Sequence, residues 1–384
     1  MSRLSAKSLA SLALAGALLA GAPDSASART KLVALPERAS LLFNLENPNA
    51  ALAVEERVLA LNRGVNRIDF SWQGVSIDMS SIQIQMLDNP DTTIILNVSY
   101  PPNENALVWE ISSPAAREER IRIYYLLYGV ERSTSYRLTA NEEESAALFQ
   151  AYYSIANNSG EDLKDATIIS NWPETYKKTL EAGETRKINV LKLAELPLTK
   201  KYLMKFRELS PDAEDKYRPR MYYAFKNVEA NGLGNALLPY GKHRIFQKDP
   251  QGSTIFVGED WGKELPVNEE QELLLGVAND VVVKRVTYST EPFNIRRNGS
   301  RRIVSRDENI TLRYEIENFK DEPVELTLEE YIEDYWEVKG FSGALGDPKT
   351  ERKTNEVIRI TVQLPVGTEK HVLDFTYTKI NQLN

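Results

Sequence analysis

The stretch Ala147-Leu148-Phe149-Gln150-Ala151-Tyr152-Tyr153-Ser154-Ile155-Ala156, closed by Asn157-Asn158-Ser159-Gly160, decides the fold. Phe149, Ala151, Tyr153 and Ile155 recur at every second position, which places them on one face of an extended strand. Just upstream, Glu142-Glu143-Glu144 has helix-forming composition and leaves a helical reading open. A strand from about Leu148 is preferred, because Asn157 to Gly160 supplies a hairpin turn and Ala166 to Ser170 resumes an extended run.

The same alternation spreads in both directions. It recurs in Ser40 to Leu45, Asn66 to Trp72, Asp78 to Leu87, Ile94 to Tyr100 and Arg120 to Tyr128. Downstream it recurs in Tyr222 to Asn227, Glu270 to Leu275, Asp280 to Tyr288, Ile358 to Leu364 and Val372 to Lys379. Leu238 to Gln247 and Thr254 to Asp260, separated by Asp249-Pro250-Gln251-Gly252-Ser253, read as a hairpin. A weak internal echo links Tyr153-Ser154-Ile155-Ala156-Asn157 with Tyr314-Glu315-Ile316-Glu317-Asn318; each Asn precedes an acidic turn, where its side chain can bond nearby backbone. The expected fold class is all-β: several immunoglobulin-like β-sandwich domains with few short helices. The expected divisions are 1–28 signal peptide, 29–130 N-terminal sandwich, 131–210 immunoglobulin-like region, 211–290 middle β domain and 291–384 C-terminal sandwich. A charged linker or exposed loop is expected from Asp212 to Arg218.

Composition narrows the chemistry. The 384 residues are 42% hydrophobic and 27% charged, with no cysteine and two histidines, His243 and His371. Disulfides, thiolate metal sites, cysteine nucleophiles and an acylated cysteine anchor are excluded, as is a three-histidine zinc site. Arg3 and Lys7, the apolar run Leu9 to Ala20 and Ala26-Ser27-Ala28 make a secretory signal peptide with cleavage after Ala28. The apolar run is too short to span a bilayer, and no later segment is apolar enough, so no integral membrane segment is expected in the mature chain. Secretion without cysteine points to a bacterial envelope, periplasmic or extracellular; the sequons at Asn97, Asn157, Asn298 and Asn309 are then incidental. The net charge of −8 argues against nucleic acid as a partner. The densest basic patch, Arg296-Arg297 and Arg301-Arg302 around Asn298-Gly299-Ser300, reads as a solvated turn.

Several pieces, in order, resemble a bacterial envelope family of unknown function that includes the mucoidy inhibitor A proteins. They are Ser135-Tyr136-Arg137-Leu138, Asn157 to Ala166, Leu238 to Phe246 with its proline–glycine start, and Gly252 with Phe256 to Asp260. Leu275-Gly276, Glu317 to Val324 and Glu329 to Trp336 complete the set. The resemblance implies a β-rich envelope protein and carries no catalytic residues. Longer members have a charged helical segment before this region; here Gly129 runs directly into Ser135.

Candidate chemistry is sparse. His243 lies between Lys242 and Arg244 without a partner acid, so a structural or surface role is expected, as is a surface role for His371. Glu329, Glu330, Glu333 and Asp334, beside Tyr331 and Tyr335-Trp336, are the carboxylates a glycosidase would need; on a strand Glu329 and Glu330 point to opposite faces. Asp162 with Asp165, and Asp212 with Glu214 and Asp215, are acidic turns without a calcium-loop pattern. Gly232-Leu233-Gly234 has no following helix to cradle phosphate. Tyr124-Tyr125, Tyr152-Tyr153 and Tyr222-Tyr223 each put one ring on each strand face; cross-strand packing is the favoured role of the outward ring, and a carbohydrate or protein surface the other. The expectation is a non-enzymatic envelope protein that binds an envelope protein or polysaccharide or acts as a structural component, with no metal, cofactor or catalytic residue assigned. The alternative is a carboxylate hydrolase of envelope polysaccharide.

Overall fold

The computed structural model describes residues 33–47, 50–170, 175–208, 216–367 and 369–383. The signal peptide with its cleavage site, and Pro211, Asp212, Glu214 and Asp215 of the expected linker, lie outside the described residues. Among the described residues the structure is nearly all strand, with helical geometry confined to single 3₁₀ turns. The strands form five sheets, and the protein is an all-β, multi-domain sandwich.

Sheet I pairs Val33–Ala34, Gly64–Ser71, Ala106–Ser113 and Ile94–Ser99. It packs on sheet II, which contains Tyr176–Leu180, Leu163–Ile169, Ser40–Asn44, Ala51–Leu61, Arg117–Leu127 and Gln83–Met86. Phe70 of sheet I meets Tyr125 of sheet II with ring centroids 5.9 Å apart. Sheet III runs Thr185–Pro197, Ala146–Asn157, Val130–Ala140, Gly241–Lys248 and Thr254–Gly262. Its inner face meets the Arg220–Lys226 and Glu270–Val277 strands of sheet IV, with Phe149 against Phe225 at 5.4 Å. The rest of sheet IV, Thr199–Lys205, Val324–Tyr331, Val357–Leu364 and Lys349–Arg352, packs on sheet V. Sheet V comprises Val281–Arg297, Ile303–Asn318, Lys370–Leu383 and Trp336–Gly343.

Pairing does not follow the linear divisions of the chain. Strands between 131 and 210 are dealt to sheets II, III and IV. Leu163–Ile169 joins Ser40–Asn44 in parallel, and Gly241–Lys248 returns a hundred residues later to pair in parallel with Val130–Ala140. One buried cluster therefore runs continuously from Leu41 to Leu273, and a second from Tyr202 to Tyr377.

The alternation around Phe149 is reproduced residue by residue, and the Glu142–Glu144 segment is a turn, not a helix. Asp78 to Leu87 departs from the single strand expected. Asp78 Oδ1 accepts the Ser80 amide and hydroxyl, and Ser81 Oγ donates to the Asp78 carbonyl. These local bonds wind Met79–Ser81 into a 3₁₀ turn and leave only Gln83–Met86 extended.

The internal echo has a third member. Tyr153, Tyr223 and Tyr314 each precede by four residues a fully buried asparagine: Asn157, Asn227 and Asn318. Each amide ties its own turn to a connection distant in sequence. Asn157 Nδ2 donates to the carbonyls of Glu161 and Leu180 at 2.9 and 3.0 Å. Asn227 Nδ2 donates to Ala236 and Leu265, and Asn318 Nδ2 to Glu322 and Pro365. The side chain satisfies carbonyls that strand ladders leave unpaired, which a buried turn requires.

Candidate functional site

The carboxylates nominated for catalysis do not converge. Glu330 points inward and is 1% exposed. Arg285 grips it from Nε at 2.7 Å and from Nη2 at 3.0 Å, and the Tyr314 hydroxyl donates to it at 2.9 Å. Burial pushes its pKa up, while Arg285 and Tyr314 pull in the opposite direction. Glu329 faces the other way and pairs with Arg359 at 2.8 Å. Glu333 and Asp334 are exposed in the turn beyond the strand, Asp334 with φ of 68°. Glu330 belongs to a recurring arrangement of tyrosine, glutamate and cation. Tyr125, Glu55 and Arg38 repeat it between sheets I and II, and Tyr223, Glu144 and Lys200 repeat it beside sheet IV. A buried carboxylate satisfied on both sides is a structural device, because any loss leaves an uncompensated charge.

His243 is a core residue, 3% exposed, stacked on Tyr136 with centroids 4.2 Å apart. Burial, and not the neighbouring cations, pushes its pKa down to about 3. Gly262 makes room for it: a Cβ there would lie 2.3 Å from the imidazole Cε1. His371 is half-buried, not on the open surface. Asp162 accepts the Ala182 amide at 2.9 Å, and Asp165 takes a left-handed conformation at an irregularity within the Leu163–Ile169 strand. Gly232 and Gly234 close the turn after Glu229–Asn231, with the Gly234 amide donating to Asn227. Each tyrosine pair splits as the alternation requires: Tyr125, Tyr153 and Tyr223 are buried, and their neighbours are half-buried.

A cleft of about 870 Å³ opens at the margin between sheets I and II. Arg38, Asp69, Trp72, Glu161, Lys164 and Lys177 contribute to its walls. Two of its cations are already engaged: Arg38 holds Glu55, Tyr125 and both oxygens of Glu161, and Arg57 holds Glu55.

The outer face of sheet III is different. Pairing register lays its outward side chains out as a grid across four strands. One row is Trp261, Lys242, Ser135 and Tyr152. The next is Glu259, Arg244, Arg137 and Gln150. The third is Phe256, Phe246, Thr139 and Leu148. Two aromatic groups thus flank a central row of planar hydrogen-bonding groups. Tyr240 stacks on Trp261 at 5.1 Å and an interplanar angle of 7°, and both rings are more than half exposed. Phe246 meets Phe256 edge-on at 5.4 Å, with the Arg137 guanidinium 4.5 Å above the Phe246 ring. Lys242 lies 5.2 Å from the Trp261 ring and pairs with Glu259 at 2.7 Å, and Lys187 lies over Tyr152. Large exposed rings beside donor-rich cations are what recognition surfaces use, because rings contribute contact area at little entropic cost and guanidinium groups supply oriented donors.

A β-bulge builds this face. Ile245 pairs with Gly258 and Phe246 with Phe256, so Val257 is an extra residue on the edge strand. Phe256 and Trp261 are five positions apart, which strict alternation would send to opposite faces. The bulge reverses the phase and brings both outward. Neither protein-family models nor the curated proteins give a match to this chain.

Proposed function

We propose that this protein is a secreted, non-enzymatic binding component of a bacterial envelope, periplasmic or extracellular, that engages an envelope polysaccharide or protein through the outer face of sheet III. One observation carries the reading: a pre-formed, exposed sheet face on which the Tyr240–Trp261 stack and the Phe246–Phe256 pair bracket Arg137, Arg244 and Gln150. The side chains stand on hydrogen-bonded strands, so little ordering cost accompanies docking. The leader sequence supports the compartment, and the resemblance to the mucoidy inhibitor A family supports an envelope role. The hydrolase alternative gains nothing from Glu329, Glu330, Glu333 and Asp334, which point to separate places.

Crosslinking in intact cells tests the reading. A photoreactive residue in place of Gln150 on the sheet III face is expected to capture one envelope component reproducibly. The same probe at Glu337, an exposed strand position of sheet V, is expected not to capture it. Equal capture from both positions would contradict the assignment.

A further inference from the structure

The basic turn read from sequence as solvated sits at the end of an arm. Val281–Arg297 and Ile303–Asn318 form the longest hairpin described, and its root is anchored by Val281, Val283, Leu312, Tyr314 and Ile316 in the core. From Thr287 outward, and back to Thr311 on the return strand, the side chains are exposed or half-buried, with Ser305 the exception. The tip is a built structure. Asn298 Oδ1 accepts the amides of Ser300 and Arg302, each at 3.0 Å, and Arg301 takes φ of 61° to close the turn. Arg297 Nη1 adds a bond to the Arg301 carbonyl.

This turn concentrates charge of one sign. Residues 294–305 hold Arg296, Arg297, Arg301 and Arg302 and no acid, in a chain whose net charge is −8. Among the described residues none of the four makes an ion pair, whereas Arg38, Arg120, Arg285, Arg313 and Arg359 all do. Asp307, next along the arm, accepts from the Asn294 side chain and the Asn381 amide, and feels the Arg296 charge without forming an ion pair with it. Two aliphatic side chains, Ile295 at 44% and Val304 at 43% exposure, stand among the arginines.

We propose that this tip docks the protein peripherally on an anionic phospholipid bilayer. Guanidinium groups take phosphate oxygens in bidentate fashion, and ones outside any ion pair need surrender no internal carboxylate to do so. Exposed aliphatic groups at the same level favour a bilayer over a soluble polyanion, because they gain by entering the boundary between headgroups and acyl chains. The overall negative charge keeps the remaining surface away from the same membrane and orients the arm toward it. No described helix is long and apolar enough to cross a membrane, so attachment through this tip is interfacial.

Flotation of the full chain with vesicles tests the proposal. Binding is expected to phosphatidylcholine vesicles containing phosphatidylglycerol, to be absent from phosphatidylcholine alone, and to fall as salt rises. Each arginine near such a surface is worth about five-fold in partitioning (~1 kcal/mol). Arg301→Gln with Arg302→Gln is therefore expected to cost about 25-fold, with an unchanged melting temperature. Ile295→Ser with Val304→Ser is expected to weaken vesicle binding while leaving binding to heparin, a soluble polyanion, unaltered. Equal binding to both vesicle types, salt-independent binding of the wild-type chain, or binding to heparin without vesicle binding would each overturn the proposal. Because the salt and vesicle comparisons use the wild-type chain, they decide the matter even where a variant fails to fold.

Discussion

The two faces of sheet III are made by the same five strands and obey opposite rules. Inward, Tyr136, Phe149 and His243 stack within a core so dry that the imidazole is held neutral. Outward, Arg137 and Trp261 are exposed and Phe246 is half-buried, with rings and cations in contact. Neighbours in sequence, such as Tyr136 and Arg137 or Tyr152 and Tyr153, are thus divided between the core and the outer face. The strand pairs Glu329 and Glu330 repeat the lesson on sheet IV: one carboxylate faces a half-exposed arginine, the other is walled in by Arg285 and Tyr314.

The sharpest division is at Phe149. Phe149→Ala is expected to destabilise the protein by about 3–5 kcal/mol, because a fully buried ring leaves a cavity that the surrounding strands cannot collapse to fill. Urea unfolding measures it, and a loss below about 1 kcal/mol would erase the contrast between the faces.

His243 gives the inner face a pH signature. Its pKa is about 3 in the folded protein and about 6.5 in the unfolded chain. Between those values the unfolded chain binds a proton that the folded state does not, so this contribution is complete above pH ~6.5 and declines as pH falls toward 3. The accumulated loss is on the order of 4 kcal/mol. His243→Gln is expected to flatten this limb relative to the wild-type protein, whatever it does to stability at neutral pH. Parallel wild-type and variant curves from pH 7 to pH 4 would show that the ring is not held neutral.

The glutamate pair refines the comparison. Glu330→Ala is expected to cost ~3 kcal/mol, since it strands a largely buried guanidinium and a buried hydroxyl. Glu329→Ala is expected to cost below ~1 kcal/mol, because its pair with Arg359 is partly solvated. Similar losses from both in thermal unfolding would mean that facing does not govern the role of these carboxylates.

Alternation made the sheet architecture readable in the sequence, and the echo of Tyr153–Asn157 with Tyr314–Asn318 pointed to a real structural device. Its third copy escaped notice because Asn227 is followed by Val228-Glu229-Ala230, not by an acidic turn like the other two. The face proposed for binding was not legible. Its key rings share a face only through the Val257 bulge, and Arg137 and Arg244 become neighbours only through a parallel pairing across a hundred residues. Exposure was only half legible: His243, flanked by Lys242 and Arg244, left a structural and a surface role both open, and strand alternation turns it inward between its charged neighbours. Linear divisions of the chain carried no sign that Leu163–Ile169 and Tyr176–Leu180 would complete a sheet begun at Ser40.

The smallest expected effect on stability goes with the largest on binding. Arg137→Ala combined with Trp261→Ala removes the centre and one flank of the outer face, and both side chains are exposed. The decisive measurement pairs the thermal unfolding of this double variant with its capture of immobilised envelope polysaccharide and envelope protein. The account predicts stability within ~0.5 kcal/mol of the wild-type protein, with retention of the captured component reduced at least about ten-fold, the loss of roughly one hot-spot residue. Undiminished retention by a folded double variant would contradict it.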